Sequence, residues 1–359
     1  TDNRIQLSPL KTSLAQRVGS LIADNLDTTA IYNGITELIE VLSRINIFLD
    51  SLHMDEKHPF ADEASAMRAI LNDPELSIVI EGKNAKQLKR TDMHKLDELF
   101  RFKKKKDMII LFKYIARLDV YCAIAMVART HRLTFPQALA KSPLKLHLKD
   151  FYNLSVKDPV KNSLDIDDEQ SIVFLTGANM AGKSTLMKAL STVLFLAHMG
   201  FPVPAERMEF SVLDGIYTTI NLPDNLGSGA SHFYSEVLRA KKIAQELQHR
   251  NLFVLFDELF RGTNVKDACE ATVAIVEAFA TRPESIFVLS THILEAGETL
   301  QNTKGLQFLY LPTEILDGMP RYTYKLQHGI TSDRHGMLII NNEGILDILN
   351  DGLLKLSAS

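Results

Sequence analysis

Apolar residues follow two different rhythms along this chain of 359 residues. Ile31, Ile35, Leu38, Leu42, Ile45 and Leu49 recur at alternating steps of four and three, and so do Met108, Leu111, Ile115, Leu118, Cys122 and Ala125. Such spacing places each set along one face of a long helix. Asp27 or Thr28 stands where the first helix needs a cap, and the second should end before Thr134-Phe135-Pro136. Between them, Asp73-Pro74-Glu75 and Glu81-Gly82-Lys83-Asn84 read as turns around the stretch from Leu76 to Ile80, which suits a short strand or a helix–helix connection. Further on, residues 171–176, 251–256 and 285–290 are apolar runs without alternation, the pattern of strands buried on both faces. The expectation is an α/β protein with a helical domain over 1–150 and an α/β domain over 151–359.

Each apolar run ends on residues able to handle phosphate. Gly177, Ala178, Asn179, Met180, Ala181, Gly182, Lys183 and Ser184 spell G-x-x-x-x-G-K-S directly after the first run. In a strand–loop–helix setting this spacing folds the backbone into a nest of N–H groups around phosphates. Lys183 is then expected to reach the β- and γ-phosphates, and Ser184 to ligate Mg²⁺. The second run ends on Asp257-Glu258, an Asp suited to hold Mg²⁺ followed by a Glu suited to polarise the attacking water. The third ends on Ser290-Thr291-His292, where the imidazole could sense the γ-phosphate. Ligands of open parallel sheets sit beyond the carboxyl ends of the strands, so three such ends point to one site. The expected cofactors are ATP and Mg²⁺.

Taken in order, the run from Thr176 through Lys183-Ser184-Thr185, the run Asp257-Glu258-Leu259-Phe260-Arg261-Gly262-Thr263-Asn264, and Ser290-Thr291-His292 resemble the ATPase domain of the MutS family of DNA mismatch-repair proteins. Leu226 to Phe233 resembles the S-G-x-S-x-F loop of that family. The resemblance implies a P-loop NTPase domain of the ABC and MutS type, in which Ser228, Gly229 and Ser231 face the nucleotide of a partner subunit. It further implies adenine contacts near Val160, Asn162 and Tyr324, a homodimer closed by ATP, and DNA as partner. Ala178 and Ala181 depart from the Pro and Gly usual in the family, and His232 from the usual Thr. No Phe-x-Glu wedge stands in a fitting setting, so mismatch reading by this chain alone is not implied. A nucleotide-gated interaction protein is the alternative, and a transporter motor subunit fits the motifs less well.

Composition adds boundaries. A net charge of −4 gives no global attraction for nucleic acid. Two widely separated cysteines, Cys122 and Cys269, give neither a disulfide framework nor zinc-ligand spacing. No run approaches the roughly 18 apolar residues of a membrane span, and a cytoplasmic location is expected. The first residue is Thr1 instead of Met, which suggests a trimmed or incomplete chain. Lys83 to Lys106 holds ten Lys or Arg against three acids, and reads either as a track for a nucleic-acid backbone or as a solvated helix face without a stacking platform for bases.

Overall fold

The computed structural model describes residues 26–54, 57–81, 90–220, 232–260, 262–316 and 319–331, with the single positions 344 and 348. The chain divides into two compact units, Thr1–Ala123 and Ile124–Ser359. The boundary therefore falls well before the residue 150 expected from sequence, because strands that precede residue 151 belong to the second unit.

The first unit is helical: α1 (Leu26–Ser51), α2 (Ala61–Leu71), α3 (Pro74–Glu81), α4 (Arg90–Glu98), a π-helical turn (Leu99–Lys103) and the start of α5 (Lys105–His131). Asp27 and Thr28 fall within α1, and their side chains lie outside the described residues. The α1 seam is as expected: Ile35, Leu42, Ile45 and Leu49 are buried, joined by Ile39, against Met67, Leu71 and Leu76. The α5 seam is buried only at Met108 and Leu111. Ile115 and Leu118 are half-buried, while Cys122 and Ala125 are exposed.

Leu76 to Ile80 is part of a helix, not a strand. Asp73 accepts the Glu75 N–H through Oδ1 at 3.0 Å, and its carbonyl accepts Leu76 N–H at 3.0 Å and Ser77 N–H at 2.8 Å. With Pro74 at the first helical position, this is a helix start strong enough to override the β-branched side chains that follow. Within the basic segment, Arg101 makes two 2.5 Å bonds to Asp97, Lys104 pairs with Asp73 at 2.5 Å, and Lys103 lies 3.7 Å from Glu75. The Lys104 ammonium holds the Asp73 carboxyl below its ordinary range, and Asp73 in turn raises Lys104. The segment does contain two aromatic residues: Phe100 is buried, and Phe102 is 63% exposed.

The second unit is a mixed α/β structure built from two sheets. In the first sheet, β1 (Gln137–Leu139), β2 (Lys145–Phe151), β3 (Asn162–Asp167) and β5 (Arg207–Ser211) lie in the order β1-β5-β2-β3. The second contains β4 (Ile172–Gly177), β6 (Gly215–Thr218), β7 (Leu252–Asp257), β8 (Ile286–Ser290), β9 (Leu306–Leu311) and β12 (Gln327–His328), in the order β12-β9-β4-β8-β7-β6. All its pairings are parallel except β12 with β9. The helices are α6 (Lys183–His198), α7 (His232–Glu246), α8 (Val265–Phe279) and α9 (Leu294–Leu300), and β10 (Thr313–Leu316) pairs with β11 (Met319–Tyr322) as a separate hairpin.

Side-chain alternation along the six-stranded sheet makes two cores. Val173, Leu175, Phe253, Leu255 and Val288 face α6 and the four-stranded sheet, where they meet Met187, Leu190, Leu146 and Leu164. Ile172, Phe174, Val254, Phe256, Phe287 and Leu289 face α8 and α9, with Val276, Phe279 and Ala296 opposite. Each fully buried Phe or Leu contributes about 1.5–3 kcal/mol. With both faces covered, no alternation survives in the sequence of β4, β7 and β8. Burial also fixes their register, which brings Gly177, Asp257 and Ser290 to one edge. Among the described residues no helix is long and apolar enough to cross a membrane.

Candidate functional site

The site is assembled at the carboxyl ends of β4, β7 and β8. Leaving β4, the chain passes through Gly177 at φ +148°, Met180 at φ +70° and Gly182 at φ +98° before α6 begins at Lys183. Gly182 is the N-terminal cap of α6, and its carbonyl accepts the Leu186 N–H at 2.9 Å. A side chain at Gly182 would be strained by that φ, and its Cβ would lie 2.9 Å from Cδ1 of Tyr324. The loop therefore wraps tightly in front of a helix N-terminus, where backbone N–H groups and the helix dipole favour an anion.

Lys183 is 6% exposed. Its ammonium donates to the Gly177 carbonyl at 2.6 Å and the Ala178 carbonyl at 3.1 Å. Burial pushes Lys183 below the ordinary lysine range, and the charges of Glu258 and Asp257 pull it back up. The cation and the two carboxylates thus act on one another across the strand ends. Ala181 is buried, whereas Asn179, Met180, Ser184 and Thr185 are exposed, with Met180 at 74%.

Asp257 and Glu258 are held by two hydroxyls, those of Thr219 and Ser290, and only Ser290 falls in a run that the sequence marks. Thr219 Oγ1 accepts the Asp257 N–H at 3.1 Å. Ser290 Oγ donates to Asp257 Oδ1 at 2.7 Å and accepts the Glu258 N–H at 3.0 Å. Glu258 and Phe260 adopt φ +55° and +63°, which non-glycine residues rarely do and which cost about 1–3 kcal/mol each. His292 Nδ1 lies 3.9 Å from Glu258 Oε1, so the third strand end joins the same cluster. Ser290 is legible as the end of an apolar run and as part of Ser290-Thr291-His292, but its role is not. Thr219 carries no such signal, because its role depends on the pairing of β6 with β7.

Gly262, in the run after Glu258, packs against the first turn of α7. A Cβ there would meet the Phe233 backbone nitrogen at 2.7 Å, and the Phe233 and Phe260 rings make an edge contact at 5.7 Å. Ser228, Gly229 and Ser231, which precede α7, lie outside the described residues, as does Arg261. Asn264 caps α8, accepting the Asp267 N–H at 2.9 Å.

Of the residues expected near a base, Val160 and Tyr324 are both exposed, and the Tyr324 ring lies against Gly182 in the loop between β4 and α6. Asn162 is 4% exposed and uses its amide on the chain. Its Nδ2 donates to the Tyr324 carbonyl at 3.0 Å, and its Oδ1 accepts the Leu326 N–H at 2.7 Å. Asn162 thereby fixes the backbone that carries Tyr324, which itself sits at φ +55°. Among the described residues no three His, Cys, Asp or Glu side chains gather to hold a metal ion by themselves.

The family model for MutS domain V matches residues 173–350, a span that includes β4 from its second residue, β7, β8 and every polar strand end described above. The DNA mismatch repair protein MutS of Streptococcus gordonii is 30% identical over 239 residues, which is 66% of this chain and 28% of that protein. MutS of Streptococcus agalactiae is 30% identical over 256 residues, 69% of this chain and 30% of that protein. MutS of Streptococcus pyogenes serotype M1 is likewise 30% identical over 239 residues. The matches thus span less than a third of the length of these relatives. Through this shared segment, with its three strand ends and the loop they support, the chain belongs to the MutS family.

Proposed function

We propose that the second unit is a P-loop ATPase of the MutS type, hydrolysing ATP to ADP and phosphate and coupling that cycle to DNA mismatch repair or a related DNA transaction. The observation that carries this reading is the convergence of Lys183, Asp257, Glu258 and His292 on one sheet edge, beside a helix N-terminus. Gly177 to Ser184 provides the anion cradle, with Lys183 as its fixed positive charge. Asn179 lies within the cradle with its side chain exposed, and Thr185 follows it.

Ser184 and Asp257 offer hard oxygen donors. So few protein ligands suit Mg²⁺, which takes its remaining ligands from phosphate and water and supplies charge neutralisation when bound. Glu258 accepts a proton from the attacking water, and Ser290 and Thr219 keep Asp257 and Glu258 in place. His292, within reach of Glu258, responds to charge at the γ-phosphate position. Tyr324 offers a face for adenine beside Val160, and Asn162 acts by holding Tyr324.

In this reading two chains complete each site, with Ser228, Gly229 and Ser231 facing the partner's nucleotide. The expected result is that Glu258→Gln with ATP sediments as a dimer more strongly than with ADP. Ser231→Arg should lose that dimer and the ATPase activity while still binding nucleotide. Full turnover by a monomeric Ser231→Arg protein would remove the two-chain site. The alternative, a nucleotide-gated interaction module that does not engage mismatched DNA, draws support from the pairing of Arg101, Lys103 and Lys104 with acids. A titration with duplex and mismatched DNA, with and without nucleotide, separates the two.

A further inference from the structure

We infer that Ser290 is a positioning residue for both carboxylates of the site, setting metal affinity through Asp257 and turnover through Glu258; this rests on the ATPase reading above. Its side chain is fully buried. In the sheet it stands level with Leu175 of β4 on one side and Asp257 of β7 on the other. The hydroxyl donates to Asp257 Oδ1 and accepts the Glu258 N–H, so one small group grips two successive residues of the neighbouring strand. The first bond fixes the rotation of the Asp257 carboxylate. The second ties down the amide of Glu258 at the point where its backbone turns to φ +55°, a conformation that persists only where its surroundings impose it.

Alanine at 290 would leave the Asp257 oxygen without this donor and the Glu258 N–H without this acceptor. The carboxylate could then rotate, and the strained turn could relax. Ser290 itself does not touch the reacting atoms. The same strand supplies a matched comparison: Ser285, also buried and just before β8, accepts the Leu252 N–H at 3.0 Å. That bond likewise links β7 and β8, but at the end of the strands remote from the site.

The experiment compares the full-length parent, Ser290→Ala and Ser285→Ala. Mn²⁺ binding is followed by electron paramagnetic resonance with a non-hydrolysable ATP analogue, beside Mg²⁺-dependent phosphate release and thermal unfolding. Losing a hydrogen bond to a charged group corresponds to a change of about ten-fold or more. Ser290→Ala should therefore bind Mn²⁺ about ten-fold more weakly, with a lower kcat and little change in KM at saturating metal. Ser285→Ala should lose comparable thermal stability while keeping the parent's metal affinity. If Ser290→Ala does not fold, Ser290→Cys, which keeps the buried shape with a weaker donor, carries the same comparison. Parental Mn²⁺ affinity in the position 290 variant, or an equal loss in Ser285→Ala, overturns the inference alone. A parent that neither binds nucleotide nor releases phosphate overturns the ATPase reading with it.

Discussion

Gly262→Ala tests whether the loop after Glu258 is held by backbone contact with α7. The new Cβ would lie 2.7 Å from the Phe233 nitrogen, 3.1 Å from its Cα and 3.2 Å from its Cβ. Ordinary carbon contacts lie at about 3.5–4.0 Å, so something must move by roughly an ångström. The closest atoms are backbone, and no rotamer change relieves them. Either the first turn of α7 or the loop from Asp257 to Gly262 has to shift. Overpacking of this kind costs about 1–3 kcal/mol, and parting the Phe233 and Phe260 rings adds about 0.5–1.5 kcal/mol. At about 2–4 °C per kcal/mol for a unit of this size, the melting temperature should fall by roughly 3–18 °C. Phosphate release should fall with it, since the displaced loop carries Glu258. Gly34→Ala is the counterpart. Nothing lies within 4 Å of that position in α1, so alanine should stabilise by about 0.5–1 kcal/mol through helix propensity. Thermal unfolding by circular dichroism and steady-state phosphate release measure both variants. A Gly262→Ala protein that melts and turns over like the parent would refute the contact argument.

Two further outcomes are expected. Because burial lowers the Lys183 pKa on folding, the folded chain holds that proton more weakly than the unfolded chain does. Its cost to stability is therefore fully present below the folded value and is relieved as pH rises through that value towards the ordinary lysine value. Over the same window the cation for phosphate is lost, so ATP affinity should fall at a lower pH than for Lys183→Arg, whose guanidinium does not titrate there; coincident pH profiles would contradict this. Replacing Lys103 and Lys104 with alanine should leave the salt dependence of any DNA binding unchanged, because both are paired, with Glu75 and Asp73. A clearly flatter salt slope would make the segment a DNA track.

What the sequence disclosed follows from how each element is buried. β4, β7 and β8 are covered on both faces and read as uninterrupted apolar runs, each found to within a residue, and their polar ends were legible with them. The four-stranded sheet was missed, although its signal was present: Leu146 and Leu148 alternate with exposed Lys145 and Lys149, and Leu164 and Ile166 with Asp165 and Asp167. α3 is not legible as a helix, since Ile78, Val79 and Ile80 favour strands and leave a strand or a helix–helix connection open, while the deciding interaction is the Asp73 cap. The seam of α5 was overextended, since helical spacing specifies a face but not whether anything covers it. Ser290, Thr219 and Gly262 act through neighbours 33, 38 and 29 residues away in sequence, so their roles emerge only once the strands are paired and α7 is placed.

The central claim, that these strand ends form an ATP-hydrolysing site, is tested most directly by nucleotide affinity and steady-state phosphate release of Glu258→Gln beside the parent. The account predicts ATP affinity within about two-fold of the parent, because Lys183 and the loop from Gly177 to Ser184 are untouched. Phosphate release should be slower by about 10²–10⁴-fold, the usual contribution of a general base. Unchanged phosphate release in Glu258→Gln, or a parent that does not bind ATP at all, would contradict it.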